Sequence, residues 1–195
     1  MNTITESQAN IEWSKFYSKF AELGLTEFYD MDKLQEEMKA SPCTTNEESG
    51  SAYKGALLIH IIMTIGLSQR IAKMISGTFQ IDENSLAKVC LLMHLSKRHM
   101  FEESTNDWDI KRGYPFKFKE LGGVMSTGDR SLLEAMNNGV KFTAEEYEAM
   151  KCLDGDDNAK KPFQGIMTTV IRQANDLAYA IEKERYKKLK EANNK

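Results

Sequence analysis

Proline is almost missing from this chain: there are three in 195 residues, beside twelve glycines. So few helix breakers leave long stretches free to be helical. Cysteine is scarce too. Cys43, Cys90 and Cys152 are odd in number, widely spaced and without a CxxC pair, which excludes a disulfide framework and a zinc ribbon. A basic excess is also lacking, because 26 Lys and Arg face 29 Asp and Glu for a formal net charge of −3. That balance argues against a dedicated nucleic-acid binder. The longest apolar run, 56–62, contains His60 and falls far short of the ~20 residues of a membrane span. The first residues, MNTITESQANIEW, have neither a basic start nor an apolar stretch, so no signal peptide is expected and the compartment expected is cytoplasmic. No repeat, Walker loop, GxGxxG after a strand, or GxSxG elbow is visible.

What remains is a chain with 41% hydrophobic and 28% charged residues, a composition neither disordered nor fibrous. At this length one domain should bury roughly 70% of its unfolded surface. Ile11, Trp13, Phe16, Phe20 and Leu23 recur mostly at helical steps before Gly24, and a shorter helix is expected from Met31 to Met38. SPCTTNEESGSAYKG reads as a loop. GALLIHIIMTIGLSQRIAKMIS, closed by Gly77, is apolar on more than one side and is expected to be a central helix. Asp82 is a good N-cap for ENSLAKVCLLMHLSKRHMF, in which Cys90 reads as a small buried hydrophobe. Tyr114, Phe116 and Phe118 alternate with Pro115, Lys117 and Lys119, which predicts a short hairpin or flap around 106–120. Ser126 with Asp129 and Thr143 with Glu146 are capping boxes opening two further helices, the first stopped by Gly139. A last helix is expected from near Phe163, its end from Glu182 onward being a solvated, Lys-rich terminus. Met63, Met74, Met93 and Met136 are expected in the core. The expected fold class is all-α, a helical bundle with at most that small β-element.

The candidates for chemistry start with histidine, of which there are three: His60, His94 and His99. His60 and His94 lie inside the two most apolar helices, where an imidazole must be hydrogen-bonded or coordinated to offset its burial. His99, beside Lys97 and Arg98, is expected to be exposed. The acidic run Asp154, Asp156, Asp157 lacks the layout of a calcium loop and reads as a solvated turn.

Several stretches in order resemble the HD-domain family of metal-dependent phosphohydrolases, in a form often encoded by bacteriophages. They are Gly55-Ala56-Leu57-Leu58-Ile59-His60, Leu91-Leu92-Met93-His94-Leu95-Ser96-Lys97, Ser126-Thr127-Gly128-Asp129-Arg130-Ser131, Lys151-Cys152-Leu153 and Ala174-Asn175-Asp176-Leu177. The resemblance covers residues 41–181, which would make 1–40 an N-terminal helical extension and 182–195 a charged helix end. It implies an HD-like helical bundle holding a divalent metal (Mn, Fe, Ni or Mg) on His60, His94 and Asp176, with Lys97, Arg130 or Lys151 on phosphate. The departures matter as much. Leu95 stands where the family has the aspartate after its second histidine, and Thr127 and Leu153 stand where it has two further histidines. The expectation is therefore a degenerate site with no cofactor, in a domain working through other protein subunits. A homo-oligomer or larger assembly, with incorporation in a virion, is the form this implies. Six aromatics between Trp13 and Tyr29 are candidate interface anchors or core. The alternatives are a working phosphohydrolase on a nucleotide or related phosphate, or a nucleotide-binding domain that does not cleave. Membrane association is not expected.

Overall fold

The computed structural model describes residues 4–121, 125–152 and 165–193. Among them run α1 (Glu6–Glu22), α2 (Met31–Ala40), α3 (Ala56–Ile75), α4 (Glu83–Leu92), α5 (Asp107–Lys111), α6 (Thr127–Asn137), α7 (Ala144–Cys152) and α8 (Ile166–Asn193). The fold is all-α. Its one small sheet pairs β1 (Phe101–Glu103) antiparallel with β2 (Phe116–Phe118), Phe101 opposite Phe118.

The caps form where the side chains demand them. The Asp82 carboxylate accepts from Ser85 N at 2.6 Å, and Ser126 Oγ accepts from Asp129 N at 3.1 Å. In the reciprocal box, Thr143 Oγ1 accepts from Glu146 N at 3.2 Å while Glu146 Oε2 accepts from Thr143 N at 2.8 Å. Each such cap contributes ~1 kcal/mol to its helix. Gly139 ends α6 at φ +96°, where a side chain would be strained.

α3 and α8 cross the middle of the molecule and make its most extensive helix–helix contact, with α4 against α3. α3 is also long and apolar enough, by length and composition, to cross a membrane. Its polar residues His60, Thr64 and Ser68, one turn apart, are all buried. The first forty residues join the same core: Trp13, Phe16, Phe20, Leu34 and Met38 pack with Leu57, Leu58, Ile61 and Leu91. Most of the N-terminal aromatics are thus spent on packing, and Tyr17 alone among α1's rings is exposed. Arg98, nearly buried, ties α2 to α6 by pairing with Glu37 at 2.8 Å and with Glu134.

Four local expectations need correction. The helix holding His94 does not run to Phe101: α4 stops at Leu92, a 3-10 turn covers Leu95–His99, and Phe101 begins β1. The flap is wider than 106–120, because its first strand is Phe101–Glu103 and α5, capped by Asn106, fills the connection. Met93 is in the core and Met63 half-buried, but Met74 and Met136 are exposed, at 84% and 51%. Glu182, assigned to a solvated tail, is buried, while Lys183, Glu184 and Arg185 after it are exposed. Phe163, Leu153 and the Asp154, Asp156, Asp157 run lie outside the described residues.

Candidate functional site

His60 enters the core from the first turn and a half of α3, whose start is clipped in place by Ser41: its carbonyl accepts from Gly55 N at 3.0 Å and Leu57 N at 3.4 Å. His94 sits just past the end of α4, held by the buried Met93 and Leu95 on either side. Both imidazoles are buried, His60 at 0% and His94 at 4% exposure, with ring centroids 5.3 Å apart.

The third expected ligand does not join them. Asp176 lies on the exposed face of α8, and its predecessor Asn175 points inward. One residue on an α-helix is a turn of ~100°, enough to exchange the core face for solvent. Asn175 Oδ1 lies 3.0 Å from Nε2 of His60 and 2.8 Å from Nε2 of His94. On the other side of the first ring, Nδ1 of His60 faces Glu182 Oε1 at 3.1 Å. Tyr179 lies over the same ring at 4.2 Å between centroids, and Lys97 Nζ donates to the Tyr179 hydroxyl at 2.7 Å and to the Cys43 carbonyl at 3.2 Å. The histidine pair is therefore covered by a lysine–tyrosine lid.

Hydrogen-bond direction follows from these partners. Oδ1 only accepts, so each facing Nε2 carries its hydrogen. His60 thus meets the Asn175 oxygen through Nε2 and faces the Glu182 carboxylate through Nδ1, in ion-pair geometry. His94 donates from Nε2 and keeps a bare Nδ1, which is buried and without a partner among the described residues. Burial, then the positive charges of Lys97 and His60, hold the His94 pKa well below the ordinary 6.5. It is a neutral ring. Burial likewise raises the thiol pKa values of Cys43 and Cys90, the latter to about 12, so neither is an activated nucleophile.

For a divalent metal this donor set does not fit. Among the described residues no three His, Cys, Asp or Glu side chains converge. Both Nε2 atoms point at a neutral carboxamide at hydrogen-bond distances, and the carboxylate present takes the far nitrogen of His60. The expected phosphate ligands are dispersed as well. Lys97 closes the lid, Arg130 Nε donates to the Met125 carbonyl at 3.2 Å, and Lys151 pairs with Asp129. Thr127 and Leu95 do stand near the turn that follows His94, where Ser96 Oγ donates to the Thr127 carbonyl at 3.0 Å. His99 is half-exposed, 3.8 Å from Glu37.

Asn175, Tyr179 and Glu182 are the site residues that sequence reasoning missed. Their spacing of four and three is the signal, since it puts them on one helical face with the buried Ile171 and Ala178. The charged surroundings of Glu182 masked it. No family model, curated protein or solved structure matches the chain.

Proposed function

We propose that this chain is a catalytically degenerate, HD-like helical domain that works through contacts with other protein subunits, as a structural or assembly component. The observation that carries the reading is the Asn175 carboxamide shared by His60 and His94, with Asp176 turned to solvent. A hydrolytic centre of this type needs open coordination positions and an activated water. Here both inward nitrogens are satisfied by an amide, and a lysine–tyrosine pair closes the approach. What the pair does provide is a cross-link among α3, the turn that follows α4, and α8.

The flap supports the interaction role. Trp108 and Phe118 are 62% exposed and Tyr114 38%, on a segment that also carries Arg112, 4.2 Å over the Trp108 ring. Exposed aromatics with arginine are the residue types that anchor protein interfaces. A homo-oligomer or larger assembly, in a bacteriophage particle if the resemblance holds, is the setting we propose for them.

The test is metal content by inductively coupled plasma mass spectrometry on protein purified without chelator or nickel resin, followed by phosphate-release assays on nucleotides with added Mn, Fe, Ni or Mg. The expected result is substoichiometric metal and no turnover. Stoichiometric metal that disappears in His94→Ala, or nucleotide hydrolysis by the intact chain, would overturn the reading in favour of a phosphohydrolase.

A further inference from the structure

A second polar feature lies on the outer side of the same network. Below Glu182, α8 presents Glu182, Arg185, Tyr186 and Leu189, a stripe at three- and four-residue steps, along a cleft of about 270 Å³. The opposite wall is Ile4, Tyr53 and Ile59. Gly50 also lines it. It has φ +81° and packs so tightly on the α8 backbone at Glu182 that no Cβ would fit. At Gly50, therefore, the lining is fixed by backbone contact.

Its acidic group is only half spent. Glu182 is 4% exposed, and while Oε1 takes His60, Oε2 is buried with no hydrogen-bond partner among the described residues. A carboxylate oxygen so placed lacks a donor it would have had in water. Its charge acts across the cleft, contributing after burial itself to a Tyr53 phenol pKa of about 12. Arg185, one helical turn away, is exposed and makes no ion pair among the described residues. A carboxylate with one unpartnered oxygen and an exposed guanidinium without an ion pair, both among the described residues, thus line the cleft with the apolar Ile59 and Leu189 and the Tyr53 ring. The volume lies just below the range of roughly 300–1,000 Å³ usual for drug-sized ligands, which suits a smaller molecule.

We propose that this cleft binds a small amphiphilic zwitterion of the amino-acid type. Its ammonium donates to Glu182 Oε2, its carboxylate meets the Arg185 guanidinium, and its apolar side chain lies between Ile59 and Leu189. Charge-assisted contacts at both ends distinguish it from a plain amine or a plain acid of the same shape. Through Glu182 the ligand would also touch the His60 pair, so occupancy has a reporter inside the core.

The test uses three isosteric probes on the full chain: L-leucine, 3-methylbutan-1-amine and 4-methylpentanoate, followed by ¹H–¹⁵N NMR at the Gly50, Tyr53 and Arg185 amides and at the His60 ring. Leucine is expected to shift these resonances saturably in the millimolar range, the amine more weakly, and the acid least. In Arg185→Ala, whose side chain is on the surface, leucine should weaken by about tenfold while the amine is unchanged. Glu182→Gln should abolish both. Arg185→Ala keeps the proposal open to refutation even if Glu182→Gln fails to fold. Equal binding of leucine and the amine, an unaltered leucine affinity in Arg185→Ala, or no shift by any probe would each overturn it. None of these outcomes bears on metal binding or assembly.

Discussion

Nε2 of His94 stands 2.8 Å from Oδ1 of Asn175, across 81 residues of sequence. The same oxygen accepts from His60, so a single carboxamide completes two buried imidazoles. Replacing it with an apolar isostere strands both. Asn175→Leu should cost about 2–6 kcal/mol, the sum for two buried polar groups left unsatisfied. Urea denaturation followed by circular dichroism measures it. A loss under about 1 kcal/mol, the net worth of one ordinary hydrogen bond, would mean the amide does not hold the pair together.

Stability should fall with acid in a defined direction. The His94 pKa is lowered in the folded chain, so the unfolded chain binds a proton there first. Below the unfolded value of about 6.5, each pH unit should therefore remove up to ~1.4 kcal/mol, until the folded-state value is reached. Above about pH 7.5 this group contributes no slope. The check is the difference between the chain and His94→Gln in unfolding free energy measured from pH 5 to 8. Identical slopes in the two proteins would refute a neutral buried ring.

Three glycines should respond to alanine in three ways. Gly50 has positive φ and lies against the α8 backbone, so Gly50→Ala should destabilise strongly, by more than the 1–3 kcal/mol of backbone strain alone. Gly24 has φ +65° with open space around it, so only a backbone cost of about 1 kcal/mol is expected. Gly66 is inside α3 with nothing near its missing Cβ, and Gly66→Ala should stabilise by about 0.5–1 kcal/mol. Thermal melts of the three variants rank them, and any other order refutes the packing at Gly50.

The exposed flap gives a separate expectation. Trp108→Ser with Phe118→Ser should leave stability within about 0.5 kcal/mol per site, because both rings are mostly in solvent. If the flap mediates self-association, the double variant should shift to lower mass in light scattering behind size exclusion. A stability loss of several kcal/mol would instead make these rings structural.

The helices were readable because their determinants are local. Asp82, Ser126 and the Thr143–Glu146 box each cap the helix they precede, within three residues of sequence. The burial of His60 and His94 was readable from the apolar runs around them. Their partner was not, because Asn175 and Asp176 are adjacent in sequence and the choice between them is the rotational phase of α8, set by packing against α3. A carboxylate next to an expected metal site draws the eye, whereas an asparagine does not. Glu182 was hidden for a related reason: in a Lys- and Glu-rich stretch, composition reads as solvent. Only the three-residue step from Tyr179 reveals that it faces inward. The first strand of the flap, Phe101–Glu103, has no alternation of its own and exists because Phe116–Phe118 pairs with it.

The network built on α8 also sets an order of events during synthesis. His60 is 115 residues ahead of Asn175 and 122 ahead of Glu182. A ribosome making ~5–20 residues per second therefore exposes α3 and the turn after α4 that carries His94 for several seconds or longer before their partners exist. Throughout that interval α3, the most apolar helix, has neither its largest packing neighbour nor an acceptor for its imidazole. The nascent chain is then committed late, and the 30 residues from Ile166 onward decide whether those before them stay folded. A chaperone that shields α3 until Asn175 and Glu182 emerge would meet the period of greatest aggregation risk.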